Sequence, residues 1–178
     1  MGTSNKHKIK EATVILAQYG IELEHYPLKR IEIQANDLED IASFSLREVP
    51  LDIPIAIEDA GLFIDTYGGF PGPYSSYVLD RLGNPGILKL MNGIMERSAH
   101  YLSAIAYRDE TGVYNFKGVV EGQIAKSERG TNGFGYDPIF IPTEGDGRTF
   151  GEMSEHEKNS ISHRSRAFHA LAKWLISG

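Results

Sequence analysis

Two runs with strand character, "SAHYLSAIAYR" and "VYNFKGVV", are separated by the turn-forming tetrapeptide "DETG". This pattern predicts antiparallel strands over residues 98 to 125, with one tight turn between them. Whatever fold the chain adopts must accommodate that hairpin, and the class follows from what lies on either side.

Upstream, Ile9, Ala12, Leu16 and Tyr19 recur at helical spacing, and Gly20 is placed to end that helix. The segments "IELEHYPL" and "IEIQ" alternate as strands do. In "NDLEDIASFSL", Asn36 and Glu39 form the capping-box pattern of a second helix. "IPIAI" reads as a buried strand that ends at "EDAGL", and "NPGILKLM" begins a helix with Asn84 as cap and Pro85 at its first position. Ser154 and Glu157 repeat the capping-box pattern, and Phe168, Leu171, Ala172 and Leu175 give the last helix an apolar face. The sum is a mixed α/β fold in one domain over residues 1–178, with no linker, internal repeat or low-complexity segment.

Composition removes several classes of function. With 41% hydrophobic and 24% charged residues, the chain fits neither a disordered nor a membrane-spanning protein. It has 0 cysteines, which excludes disulfides, thiolate metal sites and thiol nucleophiles. The N-terminus lacks the apolar run of a signal peptide, so a cytoplasmic location is expected. A formal net charge of -6 argues against a general nucleic-acid binder.

Four segments gather polar residues at the ends of elements. "TSNKHK" places Thr3, Ser4, Asn5, Lys6, His7 and Lys8 at a helix start, where free N–H groups, the helix dipole and ammonium groups favour an anion such as phosphate. "EDAGL" sets Glu58 beside Asp59, a repelling pair that a divalent cation or a neighbouring base would stabilise. "GFGYDP" offers Phe134 and Tyr136 as flat faces for a nucleobase on a permissive backbone, with Asp137 to hold a ring N–H or a ribose hydroxyl. "EKNSISHR" puts Lys158, His163 and Arg164 ahead of the final helix. Taken singly, each segment also fits a capped helix, a solvated acid pair or a glycine turn over core aromatics.

In order, "TSN", "EIQ", "EDAGL", "GGFPGPYSSYV", "GTNGFGYDPIF" and "GEMSEHEKNSISHRSRA" span almost the whole chain. This ordered set resembles the inosine triphosphate pyrophosphatase family, in the style of its archaeal members. The resemblance implies hydrolysis of non-standard purine nucleoside triphosphates (ITP, dITP, XTP) to the monophosphate and pyrophosphate. It also implies an elongated mixed β-sheet flanked by helices, two lobes around a central nucleotide-binding cleft, Mg²⁺ as cofactor, and a homodimer.

Carried onto this chain, the family pattern makes Thr3 to Lys8 the triphosphate-binding segment. Glu32 and Asp59 become metal-binding acids, and Asp59 also the proton acceptor. Phe134, Gly135, Tyr136 and Asp137 match the base and sugar pocket, Lys158 the lysine of the "EKN" motif, and His163 with Arg164 the purine-binding pair. Ala60 stands where a hydroxyl residue is common, leaving its backbone amide to act. Lys6, Lys8 and Lys158 would neutralise the pyrophosphate leaving group. A buried donor facing O6 of the base, with the backbone N–H of His163 or Arg164 as candidates, would be left unpaired by adenine.

The chain also departs from the pattern. Only Met1 and Gly2 precede "TSN" where relatives carry an apolar strand, so residues 1 to 5 are expected to be poorly anchored. Phe44 and Ser76 occupy places where some relatives carry basic contacts, and neither is given a role. Two alternatives stand beside the pyrophosphatase: a non-catalytic nucleotide-binding regulator, and a related enzyme acting on modified pyrimidine nucleotides.

Overall fold

A computed structural model describes residues 1–28, 33–49 and 53–177. The helices are α1 (Lys6–Ala17), α2 (Leu38–Arg47), α3 (Ser75–Leu90), α4 (Glu155–Ile161) and α5 (His163–Ser177). The strands are β1 (Ile55–Ile64), β2 (Phe70–Pro71), β3 (Ser98–Asp109), β4 (Gly112–Ile124) and β5 (Phe140–Pro142), in the sheet order β2-β1-β3-β4-β5. This is the mixed α/β architecture read from the sequence, and β3 and β4 are the predicted hairpin. Its turn is set by Asp109, whose Oδ1 accepts from the amides of Thr111 at 2.8 Å and Gly112 at 3.2 Å.

The chain divides into two compact units. One comprises Met1–Ala60, Ser103–Gly118 and His163–Gly178, and the other Gly61–Leu102 and Val119–Ser162. In the first, Ala12, Ile15 and Leu16 of α1 share a core with Ala167, Phe168, Leu171 and Ala172 of α5 and with Ala56, Ile105 and Tyr107. A second cluster joins Ala42 and Leu46 of α2 to Val49, Ile55, Ile57 and Ala106. The other unit has its own core, built around Leu62, Ile64, Tyr101, Phe140 and Phe150.

The start of the chain corrects an expectation. Residues 1 to 3 are anchored on both sides: the Gly2 amide donates to Ala56 O at 2.9 Å, and the Tyr26 amide donates to Met1 O at 2.9 Å. Gly2 bridges Tyr26 in parallel, and the Met1 side chain is buried. A short segment inserted between two backbones gains hydrogen bonds on each edge, so strand length was the wrong measure of anchoring.

Other boundaries also differ. β1 does not stop before the acids but runs through them to Ile64. It can do so partly because Gly61 carries no side chain: a Cβ there would lie 2.3 Å from Gly72 O. The cap of α2 is Asp37, one residue after the predicted Asn36, and its side chain accepts from Glu39 N. "IELEHYPL" contributes only the bridge at Tyr26 rather than a strand, and Ile31 and Glu32 of "IEIQ" lie outside the described residues. α3 begins before the predicted "NPGILKLM" start and breaks at Gly83. Ser154 and Glu157 form the capping box of α4 as expected.

Candidate active site

In the first unit, Asn5 caps α1, its side chain accepting from His7 N at 2.9 Å and Lys8 N at 3.3 Å. Thr3 is buried, and its Oγ1 accepts from Asn5 N, so this hydroxyl shapes the turn into the helix. Ser4, Lys6 and His7 are exposed. Lys8 is directed inward: its Nζ lies 2.8 Å from Glu58 Oε2 and 3.9 Å from Asp59 Oδ1, and donates to Glu58 O at 3.4 Å.

Glu58 is fully buried. Its Oε1 accepts from Ser103 Oγ at 2.7 Å and from Arg164 Nε at 3.1 Å, and Arg164 Nη1 reaches Glu11 Oε2 at 2.5 Å. Burial pushes the Glu58 carboxyl upward, but Arg164 and Lys8 outweigh it and hold the group well below the usual carboxylate range. Lys8 and Arg164 thus supply the neighbouring bases that an adjacent acid pair requires. Asp59, the next residue on the strand, keeps a 15% exposed side chain, and its Oδ1 accepts from Ala60 N at 3.0 Å. The Ala60 amide is therefore already engaged by Asp59. Glu32, the second acid expected at a metal, lies outside the described residues. Among the described residues, no three His, Asp or Glu side chains cluster as a ready-made metal site.

His163 and Arg164 open α5 rather than preceding it, and both are buried. Gly118 allows this: a Cβ there would lie 2.0 Å from His163 O and 2.5 Å from Ala167 N. The guanidinium of Arg164 is engaged by Glu58 and Glu11.

In the second unit, Gly133 and Gly135 adopt left-handed φ values of 72° and 67° around Phe134. Asp137 Oδ2 accepts from Phe134 N at 2.8 Å and from Lys158 Nζ at 2.7 Å. Asp137 and Lys158 are both buried, and the Lys158 ammonium sits 4.7 Å from the Phe134 ring centroid and 5.9 Å from that of Phe150. Tyr136 corrects the sequence reading. It is a core residue, 3% exposed, whose hydroxyl donates to Ser75 O at 2.8 Å, and it presents no face for stacking. Burial and the charge of Asp80 push its phenol up.

Sequence reasoning named Glu58 only as half of an acid pair, and it left out Glu11 and Ser103. Glu11 carried a signal, since it stands four positions before Ile15 on the apolar side of α1, where an acid needs a partner. Ser103 carried none, because its role depends on a residue 45 positions away.

Comparison with solved structures places this arrangement among known α/β proteins. The HAM1 protein of Coxiella burnetii matches with a TM-score of 0.87 at 29% identity, covering 99% of this chain and 97% of that one. Among sequences, the dITP/XTP pyrophosphatase of Hyperthermus butylicus is 46% identical over 177 residues, covering 98% of this chain and 93% of the relative. That of Methanothermobacter marburgensis is 49% identical over 177 residues, covering 97% and 92%. The Ham1 family matches residues 1–174, and the chain belongs to that family. The membership read from the ordered motifs is borne out.

Proposed function

We propose that this chain hydrolyses non-standard purine nucleoside triphosphates, dITP, ITP and XTP, to the nucleoside monophosphate and pyrophosphate. The observation that carries the reading is Lys8, held at the N-terminus of α1 at 2.8 Å from Glu58 and 3.9 Å from Asp59. One ammonium there joins an anion-attracting helix start to the acid that can handle water. The names of relatives at 46% and 49% identity support the substrate class.

Water attacks the α-phosphorus, the bond from that phosphorus to the bridging oxygen breaks, and pyrophosphate leaves with the electron pair. Asp59 orients the water and takes its proton. Thr3 to Lys8 hold the triphosphate, with Lys6 and Lys8 countering the charge that develops on the leaving group. In this reading Phe134, Gly135 and Asp137 meet the base and sugar, and Lys158, expected from the sequence at the leaving group, joins them; its packing against Asp137 and Phe134 supports that change. The buried start of α5 at His163 and Arg164 supplies backbone donors for O6, the atom that separates hypoxanthine and xanthine from adenine.

A divalent cation fits Asp59. The donors are oxygens in a chain without cysteine, and Mg²⁺ characteristically binds one or two carboxylates together with substrate phosphates, without a dedicated cage of acids. Asp59, with Glu32 as second acid, would hold it, and the ion would neutralise phosphate charge. The reading includes a cytoplasmic homodimer. Among the described residues, no helix is long and apolar enough to cross a membrane.

The test is product analysis with dITP and Mg²⁺ in water enriched in heavy oxygen. Label in dIMP together with unlabelled pyrophosphate supports the mechanism. Orthophosphate as first product, or label in the pyrophosphate, excludes it.

A further inference from the structure

Asn84 lies where α3 breaks, directly after Gly83, whose φ of 62° and ψ of -175° are not helical. Its Nδ2–H donates to the carbonyl of Gly135 at 3.1 Å, while its Oδ1 is buried with no hydrogen-bond partner among the described residues. The opposite orientation of the amide would set two carbonyl oxygens against each other, so the donor end must face Gly135. A buried carbonyl left unpaired is destabilising. The donor end therefore accounts for an amide at this position.

Gly135 stands beside Phe134, the half-buried aromatic of its turn. The same turn is gripped from α4, where Lys158 Nζ binds Asp137 Oδ2 at 2.7 Å and lies 4.7 Å from the centroid of the Phe134 ring. The Phe134 amide closes on that same Asp137 oxygen at 2.8 Å. Asn84 of α3 thus holds the carbonyl after Phe134, while Lys158 of α4 lies by its ring and holds the Asp137 oxygen that accepts from its amide.

We propose that Asn84 is a positioning residue for base recognition: with Lys158 it clamps the turn 134–137 and fixes the Phe134 ring for stacking on the purine. The inference rests on the pyrophosphatase reading and deepens it. It separates base affinity, which depends on the clamp, from triphosphate affinity, which depends on the start of α1.

The experiment uses the full chain with Asn84→Ala and Asn84→Asp. It measures KM and kcat for dITP, the inhibition constant of inorganic tripolyphosphate, which carries no base, and the melting temperature. Losing one hydrogen bond in the clamp should raise KM about 5-fold in Asn84→Ala. Both kcat and the tripolyphosphate constant should stay within about 2-fold of wild type. Asn84→Asp keeps the shape but turns an oxygen toward the Gly135 carbonyl, so it should raise KM at least as much. An unchanged KM in Asn84→Ala overturns the clamp. So does a tripolyphosphate constant that rises in step with KM, because general loosening of the fold produces that result. A wild-type chain that turns over no dITP overturns the functional reading itself, whereas normal wild-type turnover with unaltered variants overturns the clamp alone.

Discussion

Glu58 Oε1 lies 3.1 Å from Arg164 Nε across 106 residues of sequence, and neither side chain is more than 3% exposed. With Lys8 and Glu11 they form an alternating chain of charges inside one unit. Such a group is stable only while every member is ionised and paired.

That condition sets an acid limit on the fold. The Glu58 carboxyl is held below its ordinary value, so its stabilisation is complete above the unfolded value of about 4.3 and is lost as pH falls through the folded one. Glu58→Gln should be less stable than wild type near neutrality by about 3 kcal/mol, because it leaves buried cations short of a partner. Its stability should also fall less than that of wild type between about pH 5 and about pH 3. Denaturant melts across that range check this, and parallel curves for the two proteins would refute it.

Lys8→Met removes the ammonium that joins the helix start to the acids. We expect kcat/KM for dITP to fall by about 10²-fold, through lost stabilisation of the leaving group. Tripolyphosphate should bind more weakly in the same variant. Unaltered inhibition by tripolyphosphate would remove Lys8 from the triphosphate-binding segment.

Asp59→Asn keeps a carbonyl oxygen able to accept from Ala60 N, as Asp59 Oδ1 does at 3.0 Å, so the strand should be undisturbed. Turnover at saturating Mg²⁺ and dITP should drop by about 10² or more if Asp59 takes the proton. Wild-type turnover with an unchanged melting temperature would show that another group does so.

Gly133 adopts φ 72°, and a Cβ there would lie 2.1 Å from Asp137 Oδ2. Gly133→Ala should therefore cost about 1 to 3 kcal/mol in backbone strain, before the displaced carboxylate is counted. KM for dITP should rise with it, because the same oxygen holds the Phe134 amide. A variant with wild-type melting temperature and KM would show that the turn relaxes freely.

Much of this was legible in the sequence, and the limits have physical causes. The hairpin, α1, the capping box of α4 and the apolar face of α5 are local patterns, and periodicity found them. The longer β1 was not, because a strand crossing two acids is stable only when distant residues, Lys8 and Arg164, neutralise the buried one. Tyr136 and Phe134 look alike in "GFGYDP", yet the first belongs to a core and the second does not. Only tertiary burial separates them. Asn84 was read as a helix cap, and its reach to Gly135 depends on the break at Gly83.

The central claim is tested most directly by kcat/KM for pyrophosphate release from dITP and from dATP, measured side by side with Mg²⁺. A site that meets O6 with buried backbone donors predicts a preference for dITP of about 10²-fold or more, since the adenine amino group leaves such a donor unpaired. Equal values for the two nucleotides would contradict the account.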